Sequence, residues 1–274
     1  MQSQNDWLKV LVHCKENVKE YIRPHLKTLS EPQPNLGKGA GGDQTKPVDL
    51  AAEKAIVETL QQHSISFTLI SEESGVKEFG KTPQKFYVTV DPIDGTTNLV
   101  RGLPFYASSI AISPTPALST VFAALVTDLA HDTTYTAVEG KGAYRDGEKI
   151  TSSTRDSLED AMVGLDLNSY KVKEITPQLT YLIQKTKHIR HFGANALELC
   201  YVADGTTDAF IDIRGKLRTT DLAAAYLIGK EAGGKITTPT GEALEAKLDP
   251  AQTVKFVASG NSQIQKLILS LVKP

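Results

Sequence analysis

Residues 86–98 constrain this chain most. Phe86-Tyr87-Val88-Thr89-Val90 is rich in aromatic and β-branched residues and reads as a buried strand. It runs directly into Asp91-Pro92-Ile93-Asp94-Gly95-Thr96-Thr97-Asn98. A fold that buries this strand must bring two carboxylates to its end. Hard oxygen ligands there suit Mg²⁺, which binds through few carboxylates and keeps waters and substrate oxygens. Pro92 restricts Asp91 to extended backbone, and Gly95 allows close approach of a ligand. A helical turn over 96–99 would aim free N–H groups at an anion. One segment would then hold both metal and phosphate. By residue type alone, the same string also reads as a turn.

The rest of the chain has mixed α/β patterning. Trp7, Leu8, Leu11, Cys14, Val18 and Ile22 have helical spacing, with Pro24 near the helix end. Residues 30–46 carry Pro32, Pro34, Gly37, Gly39, Gly41 and Gly42 and read as a mobile loop of lid type. A helical pattern begins at Asp49, and 66–70 reads as a strand ending at Glu72-Glu73. Short strands and turns fill 105–150, with Asp146-Gly147 as a hairpin turn. Beyond residue 155 strands are predicted at 162–167, 188–192, 207–213 and 254–258. Helices are predicted at 174–185, 195–203, 221–232 and 261–272.

Composition excludes several classes. The 274 residues are 40% hydrophobic with a formal net charge of -2, so no global field recruits nucleic acid or anionic lipid. The apolar stretch 105–126 is broken by Pro114 and Pro116 and reads as strands, not a membrane span. Cys14 and Cys200 lie far apart without zinc spacing, and the N-terminus lacks an apolar signal core. A reduced, cytoplasmic setting is expected. Gly37-x-Gly39 follows no strand, so no dinucleotide fingerprint is present. Asp128, Asp132 and Glu139 at strand ends are expected to face water.

Three segments in order resemble the inositol monophosphatase family, which includes archaeal-type fructose-1,6-bisphosphatases. Residues 91–98 match its Asp-Pro-[hydrophobic]-Asp-Gly-[Thr/Ser]-x-Asn signature, and Ser71-Glu72-Glu73-Ser74-Gly75 is similar to its Gly-Glu-Glu-Ser segment. Thr219-Thr220-Asp221-Leu222-Ala223-Ala224-Ala225, followed by Gly233-Gly234, resembles a second signature in which an Asp opens a small-residue helix. The archaeal fructose-bisphosphatase/inositol-monophosphatase branch is the more similar one.

The resemblance implies a layered αβαβα sandwich with two lobes. Residues 1–152 would carry most metal ligands and the loop 31–46, and residues 153–274 would carry Asp221 and the substrate contacts. It implies that Glu72, Asp91 and the Ile93 carbonyl hold one Mg²⁺, that Asp91, Asp94 and Asp221 hold a second, and that Glu73 supports a weaker third. Mn²⁺ would substitute and Li⁺ would inhibit. Carboxylates so crowded cannot all stay ionised without cations. Read singly, Glu72 and Glu73 are a solvated loop end, and Asp221 and Asp49 are helix caps.

The implied activity is hydrolysis of a small sugar or polyol phosphate, fructose 1,6-bisphosphate and/or inositol 1-phosphate, by metal-activated water without a phosphoenzyme. Thr96 would orient or deprotonate the water with Asp49 behind it. The backbone of Gly95 and Thr96, with Thr97, would hold phosphate oxygens. Arg190-His191-Phe192-Gly193-Ala194-Asn195 is similar to the family's substrate-contacting turn, with Ala194 replacing a common Ser or Thr. Asp212 is a candidate acceptor for substrate hydroxyls. Arg190, Arg214, Lys216 and Arg218 are candidates for a second phosphate, and Tyr170 for the sugar. A homodimer is implied by analogy. The alternatives are a 3′-phosphoadenosine 5′-phosphate phosphatase on the same fold and a non-catalytic regulatory relative.

Overall fold

The computed structural model describes residues 4–29, 34–81, 86–167 and 172–272. Tyr170 and residues 30–33 of the Gly/Pro-rich loop lie outside the described residues. Helices α1 (Gln4–Leu26) and α2 (Pro47–Gln62) pack on one face of a sheet formed by eight strands among the described residues. These are β1 (Phe67–Ser71), β2 (Gly75–Phe79), β3 (Phe86–Asp94), β4 (Ala107–Ser113), β5 (Ala123–Asp128), β6 (Thr133–Val138), β7 (Gly142–Arg145) and β8 (Glu148–Ile150). Their order is β2-β1-β3-β4-β5-β6-β7-β8. A short helix, α3 (Thr96–Arg101), follows β3 directly.

A second sheet has the order β10-β9-β11-β13-β12, formed by β9 (Met162–Leu165), β10 (His188–Arg190), β11 (Ala209–Arg218), β12 (Lys235–Thr237) and β13 (Thr253–Ser259). Helices α5 (Asn195–Ala203) and α6 (Thr219–Glu231) lie between the two sheets, and α4 (Val172–Lys185) and α7 (Ser262–Leu271) cover the outer face. The result is the αβαβα sandwich the resemblance implies.

Each interface has its own apolar core. Trp7, Leu11, Cys14, Val18 and Ile22 on α1 pack with Ile56 and Leu60 of α2 against the large sheet. α6 is buried on all sides from Thr219 to Gly229, as a helix between two sheets must be. Its Ala223-Ala224-Ala225 run permits the close approach. Burying each Leu or Ile of these cores contributes about 1.5–3 kcal/mol.

The expected elements are present, with shifts that have local causes. Asp146 and Gly147 both adopt positive φ (51° and 85°) between Arg145 and Glu148, the two-residue turn expected from the sequence. β11 extends past 213 to Arg218 through a wide bulge. Asp212 pairs with Phe256 and Leu217 with Val254, which leaves residues 213–216 looped out. α6 therefore starts at Thr219, and Asp221 is its third residue, not the one that opens it. The strand predicted at 188–192 stops at Arg190, because Glu198 Oε1 captures the N–H groups of Phe192 and Gly193 (3.2 and 2.9 Å). The short strands β2 and β12 were not expected. β2 is mostly exposed, so it lacks the apolar alternation that marks a strand. Asp128 is buried, not solvated. It accepts the N–H groups of Ala130 and His131 and pairs with the His131 ring at 2.9 Å.

Candidate active site

Side chains three apart on a regular strand point to opposite faces. Asp91 and Asp94 would therefore diverge if β3 were regular. Instead the register against β4 shifts, with Asp91 opposite Ser109 and Asp94 opposite Ala107, so three steps on β3 match two on β4. The extra residue falls at Pro92-Ile93, where proline could not have donated a ladder bond anyway. This bulge turns both carboxylates into one cavity of about 470 Å³. Gly95 then reverses the chain with φ +86°. A Cβ on it would lie 2.9 Å from the Ala194 methyl carbon and 3.0 Å from the Phe105 carbonyl oxygen, so both backbone angle and space demand glycine.

Asp94 also caps a helix that begins 101 residues later. Its carboxylate accepts the N–H groups of Asn195 (2.9 Å) and Ala196 (2.7 Å) at the start of α5. The α5 N-cap is Ala194, whose side chain can accept nothing. A carboxylate from another element takes that role.

The remaining acids arrive from two directions. β1 pairs in parallel with β3 and ends at Ser71, which puts Glu72 and Glu73 beside the Asp91 end of β3. Residues 37–45 fold back onto them. The N–H groups of Ala40 and Gly41 donate to the carbonyls of Glu73 (3.0 Å) and Glu72 (2.7 Å), and Thr45 donates to the Glu73 carboxylate. From the small-sheet side, Asp221 projects from the first turn of α6, where it accepts the N–H of Arg218 at 3.2 Å. Glu72, Asp91 and Asp221 each offer an oxygen within 4.8 Å of the other two, and all three are buried. Asp91 Oδ1 is buried with no hydrogen-bond partner. An unsatisfied anionic oxygen inside an all-oxygen donor set fits a hard divalent cation.

Electrostatics point the same way. Burial, then the charges of Glu72, Asp221 and Asp94, push Asp91 well above the ordinary carboxylate range. Burial and Asp221 raise Glu72 to about 9. Burial and Asp221 also raise Asp94 to about 7, against the pull of the α5 N–H groups. A carboxylate whose folded pKa is raised binds more protons folded than unfolded, so its contribution to stability is complete at low pH and is lost as pH rises. Without divalent ions, the thermal midpoint is expected to fall between about pH 4, the ordinary carboxylate value, and the Glu72 value of about 9. Saturating Mg²⁺ should flatten that slope. Scanning fluorimetry of metal-stripped protein across this range checks it, and a flat midpoint would refute the crowding.

Thr96 and Asp49 lie side by side. Asp49 Oδ2 accepts the N–H of Lys46 (2.8 Å) at the start of α2, and Asp49 Oδ1 lies 3.1 Å from Thr96 Oγ1. Asp49 is thus both a helix-terminus acceptor and a partner of Thr96. Thr96 Oγ1 also lies 2.8 Å from the Ile93 carbonyl, so its single proton has two acceptors. Burial, and next the charge of Glu73, raise Asp49 to about 7, within the range of a group that exchanges protons near neutrality.

A second cavity of about 540 Å³ adjoins the first and shares Asp43, Gly193, Asn195, Arg218 and Asp221 with it. The looped-out bulge of β11 supplies Arg214, Gly215 and Lys216 to its wall. Several sequence candidates are placed differently from their expected roles. Asp212 is fully buried and its carboxylate is taken up by Arg214 (Nε 3.0 Å, Nη2 2.6 Å), so it does not face a substrate hydroxyl. Asp166, directly after β9 and ion-paired to Arg214, lines this cavity beside the shared Asp43 and Asp221. Ala194 is fully buried behind Gly95. Arg190 is exposed on β10 and is not among the residues lining either cavity. Arg218 is turned toward the acids. Thr97 and Gly193 do line the first cavity. The sequence reading gave no role of its own to Asn195, whose Oδ1 is buried without a partner and which borders both cavities. Its only signal was its place directly after the Gly193-Ala194 turn.

The comparisons agree with this fold. A profile of the inositol monophosphatase family matches residues 3–274. The chain is 33% identical over 276 residues to a fructose-1,6-bisphosphatase/inositol-1-monophosphatase of Methanothermobacter thermautotrophicus, covering 97% of this chain and 96% of that one. It is 32% identical to a bifunctional NADP phosphatase/NAD kinase of Methanococcus maripaludis, covering 96% of this chain and 49% of that longer protein. A crystal structure of an inositol monophosphatase–fructose 1,6-bisphosphatase superposes with a TM-score of 0.83 at 30% identity, covering 97% of this chain and 99% of that one. The chain belongs to the inositol monophosphatase family. It is a phosphatase of the inositol monophosphatase/fructose-bisphosphatase type. Among the described residues, no helix is long and apolar enough to cross a membrane.

Proposed function

We propose that this phosphatase is Mg²⁺-dependent and releases phosphate from a small sugar or polyol phosphate, with fructose 1,6-bisphosphate and inositol 1-phosphate as the leading candidates. The convergence of Glu72, Asp91 and Asp221 around one point, with Asp91 Oδ1 left unpartnered, carries this reading. Glu72, Asp91 and the Ile93 carbonyl would hold one ion, and Asp91, Asp94 and Asp221 a second, with Glu73 beside them. Bound Mg²⁺ supplies a water of lowered pKa and positive charge against the phosphoryl oxygens.

The chain's own residues do the rest. Thr96 Oγ1 orients the attacking water and relays its proton toward Asp49, which can accept it near neutral pH. The N–H groups of Gly95 and Thr96, both on the cavity wall, face the phosphoryl oxygens as charge builds. Glu198 fixes the Gly193 turn by two backbone bonds, so Gly193 and Asn195 meet the substrate on a rigid edge. Lys216 adds positive charge to the adjoining cavity for a second anionic group, beside Arg214, which is held by Asp212 and Asp166. The size of this cavity, beside the likeness to about half of the Methanococcus bifunctional NADP phosphatase/NAD kinase, favours a second reading, removal of the 2′-phosphate of NADP⁺.

Phosphate release from fructose 1,6-bisphosphate, inositol 1-phosphate, NADP⁺ and 3′-phosphoadenosine 5′-phosphate, with and without Mg²⁺, tests the proposal. Release from the first two only with Mg²⁺ is expected. Preference for NADP⁺ would select the second reading, and metal-independent release would reject the mechanism.

A further inference from the structure

The Arg218 guanidinium is seated among the acids. Nη1 lies 2.9 Å from Glu72 Oε1 and 2.8 Å from Asp43 Oδ2, and Nε lies 3.2 Å from Asp221 Oδ1. Nη1 also donates to the Gly41 carbonyl at 3.2 Å. The side chain is 14% exposed, and its partners Glu72 and Asp221 are 11% and 4% exposed. A Cβ at Gly41 would come within 2.6 Å of Nη1 and 2.8 Å of Glu72 Cγ, so the loop backbone rests directly on the ion pair. Two of the three carboxylates that converge on one point are therefore bonded by one planar cation. That cation also ties down the loop at Gly41 and Asp43.

We propose that Arg218 is a positioning residue that competes with a divalent ion for Glu72 and Asp221 and couples metal uptake to the position of the loop 37–45. The inference rests on reading the acids as a divalent-ion centre. A guanidinium fork and a hard cation need the same carboxylates, and like charges a few ångströms apart in a buried site oppose each other. Loading the ion costs the Arg218 contacts to Glu72 and Asp221. The guanidinium is then left to Asp43, Gly41 and the adjoining cavity, which it also lines. Arg218 thereby sets both the ion concentration at which the centre fills and the hold on the loop.

The test uses the metal-stripped full chain and its Arg218→Gln and Arg218→Lys variants. Mn²⁺ binding is followed by the paramagnetic resonance of free Mn²⁺, and hydrogen exchange is read at the Ala40 and Gly41 amides. Arg218→Gln should bind Mn²⁺ more tightly, on the order of tenfold, and should exchange both amides faster. Arg218→Lys keeps the charge but cannot bridge Glu72, Asp221 and Asp43 together. It should loosen the loop while changing Mn²⁺ affinity less, and it keeps the test open if the Gln variant fails to fold. Equal or weaker Mn²⁺ binding in Arg218→Gln, or unchanged loop protection in both variants, overturns the proposal. If the parent chain itself takes up no Mn²⁺, the divalent-ion reading falls instead, which is a separate result.

Discussion

Asp91→Asn is expected to reduce Mg²⁺-dependent phosphate release at least about a thousandfold, while the metal-stripped variant unfolds at a higher temperature than the parent. Both effects come from one feature. Asp91 is held at the bulge of β3 with an unpartnered buried oxygen, and Glu72, Asp221 and Asp94 all press their charge on it. The amide keeps the shape of the side chain and removes one charge from the crowd, so the protein relaxes. The same change removes the one ligand the proposal gives to both ions. For a chain of this size the midpoint should rise by about 2–4 °C for each kcal/mol of repulsion relieved. Mg²⁺ should no longer raise it further. Phosphate release assays and paired thermal scans with and without Mg²⁺ read both arms. An active Asp91→Asn, or one that Mg²⁺ still stabilises like the parent, would remove the basis of the metal assignment. Asp94 is a poorer target for the same experiment, since it also caps α5 and its loss mixes folding with chemistry.

Thr96→Ala should lower kcat by about a hundredfold to ten-thousandfold, the usual worth of a positioned proton-transfer group, with Mg²⁺ binding unchanged. Thr96→Ser should recover most of the rate. The hydroxyl sits between Asp49 and the Ile93 carbonyl on the cavity wall, and alanine removes the group hydrogen-bonded to Asp49 there. A structural role for the Thr96 methyl would instead be rescued by Val and not by Ser. Loss of the acidic limb of the pH–rate profile in Asp49→Asn would mark Asp49 as the acceptor, given its value of about 7.

Much of this molecule was legible in its sequence, and for definite reasons. The strand at 86–90 and the helices at 7–22, 195–203 and 261–272 carry periodicities that a chain shows locally. The Asp146-Gly147 turn needs positive φ at two successive residues, which Asp and Gly tolerate. What was misjudged lay where long-range contacts override local pattern. β2 has little apolar signal of its own and forms because β1 offers it an edge. β11 runs on through a bulge because Leu217 and Arg218 pair again with β13 after residues 213–216 loop out. Asp212 looked like a substrate acceptor, but the fold buries it under Arg214, and Asp166 lines the cavity instead.

The sequence by itself determined the chemistry available: which carboxylates, hydroxyls and glycines exist, and that a buried strand must end in two of those acids. Tertiary structure alone decided how they meet. It placed the bulge that turns Asp91 and Asp94 to one side, made Asp94 the cap of a helix 101 residues away, and set the Arg218 guanidinium between Glu72 and Asp221. The reason is physical. Residue type sets what a group can bond, whereas the partner it finds depends on the packing of layers whose members lie far apart along the chain.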